Sequence, residues 1–401
     1  MSKQRSCRTQ LVSASHEILK RVQDDEVEKQ TKGHKMKKLI LSLLVATALT
    51  ACGDKENDKT AQADTRPVVK IGVNLPMTGD MAIAGKVQKA SLELALHDVE
   101  KQNTKYKYEL IVEDNVFQPK KTVSNLYKFK SVDKVQAVMS LWGTDGTVTS
   151  DWAEKNKMLH MSCSESDVVG KGYYNFNHAP KLETYRYRMM KYFQDHNYKK
   201  IAFLYENALE VVEYLDEFIP MLKENGFDIV YQEAVDRGVI DVRTSIYKIK
   251  QAQPDVLYAH VLAPTLQAFA KQSHELELNV PLVNMNIFGF YPETFEGASY
   301  FTASIGKSTF PARFKKETGL NMLPCTVNLF DGFKMIVDGF EKAPVKDGNT
   351  LPTTEDVVET MLHNKNFDTA LSSINIDEEG NIDSSVIVKT IVNGETVVAE
   401  E

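Results

Sequence analysis

Short apolar runs alternate with longer amphipathic stretches along the chain after Pro67. Residues 68–74 form the first apolar run, a loop follows, and residues 86–101 repeat apolar positions at helical spacing. This alternation predicts β-strands that are followed by α-helices, and hence a parallel sheet covered on both faces. Further strands are predicted at 108–112, 135–141 and 158–162, and further helices from Pro119 and over 151–157.

The same alternation restarts near residue 200, which indicates two successive α/β halves and therefore two similar lobes. The last segment differs, because Asn393-Gly394 between two apolar runs is a strong β-hairpin signal, and a turn is also predicted at 377–380. In this half the predicted strands are 200–205, 228–232, 256–261 and 281–284, and the predicted helices are 211–225, 244–252 and 266–275.

Residues 36–52 read MKKLILSLLVATALTAC, in which two lysines precede an apolar run and small residues precede Cys52. This pattern is typical of a secretory signal, and the run is shorter than the ~20 apolar residues that span a bilayer. The closing LTAC resembles the lipobox of bacterial lipoproteins. The resemblance implies that Cys52 becomes lipidated and anchors an exported protein to a membrane.

The charged region of a secretory signal belongs at the start of a chain, yet mostly polar residues precede Met36. We therefore expect residues 1–35 to be a spurious upstream extension. The alternative is an internal hydrophobic helix behind a polar arm. Residues 36–51 are then the lipoprotein signal peptide, and residues 52–66 form a flexible polar tether.

Length and charge narrow the class of protein. Without residues 1–51 the chain keeps 350 of its 401 residues, more than one core usually supports, and its net charge changes from −7 to −12. An acidic chain of this kind argues against a nucleic-acid partner. Cys163 and Cys325 could form a disulfide in an oxidising compartment, but sequence does not give their separation, so the pairing stays open.

No motif of a common enzyme is found: the chain lacks a Gly-x-Ser-x-Gly elbow, a His-Glu-x-x-His pair, a P-loop and zinc-type Cys/His spacing. We therefore expect no enzymatic activity, no metal and no cofactor. His160 and His260 lie on apolar strands and are expected to be core residues rather than ligands. Residues 185–190 are expected in an amphipathic helix near the crossing between the lobes.

Three loops follow strands of the first half: 76–80, 142–147 and 162–166. Ligands of open parallel sheets bind beyond the carboxyl ends of the strands. The last two loops offer hydroxyls and backbone amides, which suit a carboxylate. Hydroxyl-rich loops are also common as plain helix caps, so these loops alone do not decide the function.

From about residue 68 to 398 the chain resembles the branched-chain amino-acid binding proteins, which are solute receptors of ABC importers. The resemblance lies in KIGVNLPMTGDMAIAG, Glu113-Asp114 with Pro119, SLWGTDGTVTSD, MLHMSCSES and INIDEEGNI. It implies an α/β fold of two Rossmann-like lobes joined by a multi-crossing hinge. Lobe one would cover 67–180 and 306–375, and lobe two 181–305 and 376–401.

The resemblance also implies the site. Its contact positions for the ligand's amino and carboxylate groups fall on Ser164, Ser166 and Gly143, with Thr144 beside it. Trp142 either lines the pocket or packs in the core under a loop. The family's disulfide positions read as Phe117 and Trp142 in this chain, so that cross-link is expected to be absent.

The second lobe departs from the family's pattern. The acidic residue that faces the ligand's ammonium is replaced by Asn286, and two aromatic positions are replaced near Leu209 or Glu210 and at Val261 or Leu262. A buried ammonium without a counter-charge is costly. Either Glu206 or Glu210 supplies the charge, or the ligand is not a simple α-amino acid.

These expectations describe a lipid-anchored, monomeric solute-binding protein at the periplasm or cell surface. It would capture an amino acid, an amide or a small carboxylate between its lobes and deliver it to an ABC permease in the membrane. The alternative is a ligand-sensing receptor that acts with a separate signalling partner.

Overall fold

The computed structural model describes residues 64–400 apart from 167, 365, 372, 373, 375, 378, 379, 383 and 384, and leaves out the side chains of 209, 210 and 400. The predictions on residues 1–35, on the signal peptide, on most of the tether and on Cys52 lie outside the described residues. Within the described part, no helix is long and apolar enough to cross a bilayer.

The first lobe is built on a sheet of five parallel strands in the order β2-β1-β3-β4-β5. Every residue of β3 and β4 is buried, as expected for strands covered on both faces. The strands are β1 Val68–Leu75, β2 Lys107–Asp114, β3 Ala137–Leu141, β4 Leu159–Cys163 and β5 Asn175–Asn177, and the helices between them are α1 Ala82–Glu100, α2 Pro119–Lys128 and α3 Trp142–Asn156.

The second lobe is built on a seven-stranded sheet in the order β12-β11-β10-β9-β8-β6-β7. Its strands are parallel except for the antiparallel pairs that β11 forms with β10 and β12. The strands are β6 Lys200–Glu206, β7 Asp228–Val235, β8 Val256–His260, β9 Leu282–Met285, β10 Ser299–Ala303, β11 Val386–Val392 and β12 Glu395–Glu400, and the helices are α4 Leu182–Asp195, α5 Leu209–Glu224, α6 Arg243–Ala252 and α7 Thr265–Glu275.

The predicted hairpin at Asn393-Gly394 is confirmed: both residues have positive φ angles, 54° and 70°, and they connect β11 to β12. A two-residue turn of this hand matches the twist of the flanking strands. The turn predicted at 377–380 is supported by the amide of Gly380, which donates to the carbonyl of Asp377 at 3.1 Å.

Three later helices return to the first lobe, so the chain crosses between the lobes after β5, after β10 and before β11. They are α8 Phe310–Thr318, α9 Thr326–Lys342 and α10 Thr354–His363. Ile376 and Ile382, which the sequence assigned to the second lobe, pack in the core of the first. The fold class is confirmed: two α/β lobes are joined by a hinge that the chain crosses repeatedly.

The segment 142–147 is not a loop, as the sequence predicted, but the first turns of α3. Two glycines disfavour a helix locally, and tertiary contacts override that preference. Asp145 in the first turn accepts a hydrogen bond from the amide of Leu141 at 3.3 Å and stabilises the helix start. Gly146 permits close packing here, because a Cβ at this position would lie 3.0 Å from Val169 Cγ2 and 3.2 Å from Ser162 Oγ, so these side chains would have to shift.

Cys163 and Cys325 form a disulfide, with Cα atoms 5.8 Å apart and a sequence separation of 162. Cys163 ends β4, and Cys325 lies at the N-terminus of α9, so the bond joins two parts of the first lobe. The structure thereby settles a pairing that the sequence left open. The bond fixes the loop after β4 to the segment that precedes α9.

His160 is a core residue, as predicted: its ring lies between the Ser140 hydroxyl at 2.7 Å and Asn175 Oδ1 at 2.8 Å. His178 is also buried, with Nδ1 at 3.3 Å from the carbonyl of Asn328. Burial lowers the pKa of both imidazoles, and that of His260, to about 4. All three rings are therefore neutral near pH 7.

Acidification below about pH 6.5 is expected to remove the stability that the three buried imidazoles contribute, while burial raises the pKa of Asp145 to about 6 and that of Asp331 to about 7, which acts in the opposite direction. The three imidazoles take up protons near pH 6.5 in the unfolded chain but only near 4 in the folded one. Because the unfolded state then binds more protons, the free energy of unfolding falls as the pH falls, by up to ~1.4 kcal/mol per pH unit for each ring. Urea unfolding at pH 7 and pH 5 measures the change.

The variant His160→Gln should lose part of this difference between pH 7 and pH 5, whatever its stability at pH 7. The matched control is His97→Gln, since His97 is a largely exposed residue of α1 with a 58% exposed side chain. An equal pH dependence in the two variants would contradict the assignment of the effect to buried imidazoles.

Candidate functional site

A cavity of about 730 Å³, which includes space open to solvent, lies between the two lobes. The first lobe forms one wall with residues that follow four of its strands: Met81, Phe117, Trp142 with Gly143, and Glu165. These are the carboxyl ends of β1, β2, β3 and β4, where ligands of parallel sheets bind.

The second lobe forms the opposite wall, and that wall is mainly apolar. It comes from the starts of α4 and α5, from the segment after β8, and from the end of β9 with the turn that follows it. Its residues include Val211, His260, Leu262, Met285, Asn286 and Phe290. A largely apolar cleft with few polar groups is the usual form of a small-molecule site.

Three aromatic rings from both lobes meet at one corner of the cavity. The rings of Phe117 and Trp142 lie 5.3 Å apart, edge to face, and the ring of Trp142 lies 5.9 Å from that of Phe290. Such pairs contribute about 0.5–1.5 kcal/mol beyond the area they bury. An aromatic contact thus occupies the two positions where the family resemblance placed a disulfide.

Three of the lining residues have a left-handed backbone conformation although none is glycine. The φ angles are 54° at Phe117, 62° at Trp142 and 59° at Asn286. Bulky residues rarely adopt positive φ, and each such residue costs about 1–3 kcal/mol. Strain of this kind persists where the surrounding structure holds it in place.

A direct hydrogen bond joins the lobes at the cavity wall. Asn286 Nδ2 donates to Glu165 Oε1 at 2.6 Å. Asn286 is 7% exposed, and its backbone N–H donates to the carbonyl of Phe301 at 2.9 Å. Glu165 lies between the two serines that the resemblance singled out, yet the sequence gave it no role. Its carboxylate reaches the second lobe through a hydrogen bond.

The two serines are engaged in protein contacts. Ser164 Oγ accepts from the amide of Ser166 at 3.1 Å, and the Ser164 backbone pairs with the side chain of Asn177. Ser166 Oγ donates across the cleft to Glu213 Oε2 at 2.9 Å. Both serines are buried, and neither is among the lining residues of the cavity.

Of the other predicted site residues in the first lobe, Gly143 and Trp142 line the cavity and Thr144 does not. Gly143 lines the cavity, and its amide belongs to the first turn of α3, where helix amides lack intrahelical partners. Thr144 is half-buried and lies outside the lining. Trp142 lines the cavity. Of the two positions that the sequence allowed for this residue, the pocket wall and the core under a loop, the structure shows the first.

Glu206 lies away from the cavity lining, although it is only 2% exposed. Its Oε2 accepts from the amide of Leu262 at 3.1 Å, and its Oε1 lies 3.7 Å from Arg237 Nε. The guanidinium of Arg237 in turn lies 4.4 Å from the centroid of the Phe117 ring, which is a further contact between the lobes. The side chain of Glu210 lies outside the described residues.

His260 was predicted to be a core residue. It is buried, but it also lines the cavity. Its Nδ1 lies 2.8 Å from the hydroxyl of Tyr258. Since burial lowers its pKa to about 4, this ring adds no positive charge to the wall near pH 7. Among the described residues, no group of three or more acidic, cysteine or histidine side chains could hold a metal ion.

The fold and the cleft together define a two-lobed ligand-binding protein. The chain belongs to the periplasmic binding protein family, whose sequence model matches residues 68–386. No curated protein matches the chain.

Solved structures of similar fold include a leucine-binding protein, LivK, from Thermotoga maritima. It is 20% identical, with a TM-score of 0.72 over 82% of this chain and 97% of that one. LivJ from Streptococcus pneumoniae in complex with isoleucine is 16% identical, with a TM-score of 0.73 over 83% and 99%.

A solute-binding protein from R. palustris in complex with benzoate is 14% identical, with a TM-score of 0.74 over 83% and 96%. Identities this low support the shared fold and carry no ligand from one protein to another.

Proposed function

We propose that this protein is the exported solute-binding component of an ABC importer. It captures an amino acid or a related small solute between its lobes and delivers it to a membrane permease. The observation that carries the proposal is the apolar cavity whose walls come from both lobes. Its volume of about 730 Å³, solvent-open space included, lies in the range of small-molecule sites, about 300–1,000 Å³.

Capture proceeds by closure of the hinge. The contacts that join the lobes include Asn286 with Glu165, Ser166 with Glu213, Arg237 with Phe117, and Trp142 with Phe290. Opening the cleft breaks these contacts and exposes the apolar walls, whereas a solute that touches both walls favours closure. A ligand shifts such an equilibrium only through its different affinities for the two states.

The test is ligand-induced closure of the purified protein, with a panel of amino acids, amines, amides and small carboxylates. A solute held at about 100-fold above its dissociation constant should stabilise the protein by about 2.7 kcal/mol. The same solute should reduce the radius of gyration in X-ray scattering. Stabilisation without closure would contradict capture between the lobes. Failure of every compound in the panel to stabilise the protein would contradict the proposed function.

Export and lipid anchoring through Cys52 are supported by the signal-like segment 36–52. In the native host, labelled fatty acid should enter the wild-type protein, and the variant Cys52→Ser should take up none and leave the membrane fraction. Equal labelling of the two proteins would contradict the lipid anchor. Association of the anchored protein with a permease rather than a signalling protein supports the transport role.

A further inference from the structure

A second cavity borders the main one, and the two share Glu165 and Asn286 among their lining residues. Its volume is about 660 Å³, which includes space open to solvent. The first lobe contributes the disulfide of Cys163 with Cys325 and the start of α9, and the second lobe contributes parts of β10, β11 and β12. The lining of this second cavity includes a lysine, which the described lining of the main cavity lacks.

The lysine is Lys389, a half-buried residue of β11. It lies opposite Tyr300 of β10 in the sheet register. Within the described part of the chain, Lys389 forms no hydrogen bond and no ion pair, and Glu165, which also lines the cavity, is not its partner. Burial lowers the pKa of Lys389, which reflects the cost of holding an unpaired cation away from water.

The start of α9 lines the same cavity from the first lobe. Thr326, Val327 and Asn328 are the first three residues of this 17-residue helix, its first turn has no acidic residue, and no described side chain caps it. The amide of Thr326 donates to the carbonyl of Leu323 at 3.1 Å, but the amides of Val327 and Asn328 have no acceptor among the described residues. Both residues are buried, and a buried amide without an acceptor is rare and costs free energy.

Lys389 and the start of α9 favour the same kind of ligand. The aligned peptide dipoles give the N-terminus of a helix a partial positive charge, and its unbonded amides bind anions. The ammonium of a lysine adds three donors and a full positive charge. Because the two elements belong to different lobes and line one cavity, an anion that contacts both would complete their hydrogen bonds and join the lobes.

We propose that this second cavity is an anion site, in which Lys389 and the amides at the start of α9 bind one carboxylate or small inorganic anion. The anion is either the carboxylate of the captured solute, which then spans both cavities, or a separate ion. In the first case the site rests on the proposed function and deepens it, and in the second case it stands apart from that function.

Calorimetric titration of the purified protein with acetate, chloride and phosphate, in a buffer free of other small anions, tests the site. At least one of these anions should bind at a single site per protein. The variant Lys389→Met removes the charge and keeps an unbranched side chain, so it should weaken this binding by about tenfold or more, the usual contribution of a charged hydrogen bond. The matched control is Lys223→Met, which replaces an exposed lysine of α5 outside the lining and should bind the anion as the wild-type protein does.

Thermal unfolding gives a second measurement on the same proteins. Without added anion, Lys389→Met should unfold at the same temperature as the wild-type protein or higher, because the variant removes an unpaired cation from a half-buried position. The anion that binds should raise the unfolding temperature of the wild-type protein and of Lys223→Met, and it should raise that of Lys389→Met much less.

Failure of all three anions to bind the wild-type protein would overturn the inference, and so would equal affinity of an anion for Lys389→Met and Lys223→Met. Competition between the bound anion and a captured solute of the wider panel would identify the carboxylate of the solute as the occupant, whereas simultaneous binding would identify a separate ion. Closure of the hinge with the panel decides the proposed function independently of these results.

Discussion

Replacing Trp142 by alanine is expected to weaken binding of the captured solute by about 30-fold or more. The centroid of its ring lies 5.3 Å from that of Phe117 and 5.9 Å from that of Phe290. Removal of the ring therefore removes aromatic contacts with both walls of the cavity. Central aromatic residues commonly contribute 2 kcal/mol or more to binding, which corresponds to about 30-fold. Titration of the panel compound that binds the wild-type protein most tightly measures the loss.

A suitable control for this variant is Tyr247→Ala, which removes an aromatic ring that is 61% exposed and lies on α6, outside the cavity. Its affinity should match that of the wild-type protein. Thermal unfolding without solute separates loss of binding from loss of the fold. Wild-type affinity in a folded Trp142→Ala protein would show that the corner does not contact the solute.

Removal of the disulfide is expected to lower the free energy of unfolding by about 2–5 kcal/mol. The bond closes a loop of 162 residues, and cross-links that close long loops restrict the unfolded chain most strongly. The double variant Cys163→Ala with Cys325→Ala should show this loss in urea unfolding. Treatment of the wild-type protein with a reductant should produce a similar loss.

The double variant also provides the control, because its stability should not respond to the reductant. A reductant effect of equal size in the variant would mean that the bond is not the cause. Since Cys163 directly precedes the Ser164–Ser166 loop, solute affinity should fall together with stability. An unchanged free energy of unfolding in the variant would contradict the assigned role of the bond.

Many strands and turns of the fold could be predicted from the local pattern of apolar and turn residues. The strands that begin near Val68 and Lys200 and the hairpin at Asn393-Gly394 were predicted within a few residues, because apolar periodicity and turn chemistry are local properties. The start of α3 was not predicted. The glycines at 143 and 146 read as a loop, and only contacts with distant segments make that stretch helical.

The site was predicted less well than the fold, since it depends on contacts between residues far apart in sequence. Residues 164–166 were singled out for their hydroxyls, but Glu165 matters at the wall because its carboxylate meets Asn286, 121 residues away. Glu206 was a candidate counter-charge, and the approach of Arg237 and the Leu262 amide explains its position outside the lining. Phe290 carried no sequence signal, and Phe117 was noted only as a position of the family's disulfide, because contacts between aromatic rings follow from the fold.

The repeated crossings have a consequence for how the molecule is made. The first lobe needs α8, α9 and α10 from residues 310–363, and the second lobe needs β11 and β12 from residues 386–400. An amino-terminal fragment that ends before these segments therefore lacks part of both cores. Such non-local pairing slows folding, and slow folding is compatible with the export proposed above, since a chain that is still unfolded can pass a translocation channel. Truncations at the carboxyl end should accordingly abolish folding of the second lobe rather than trim it.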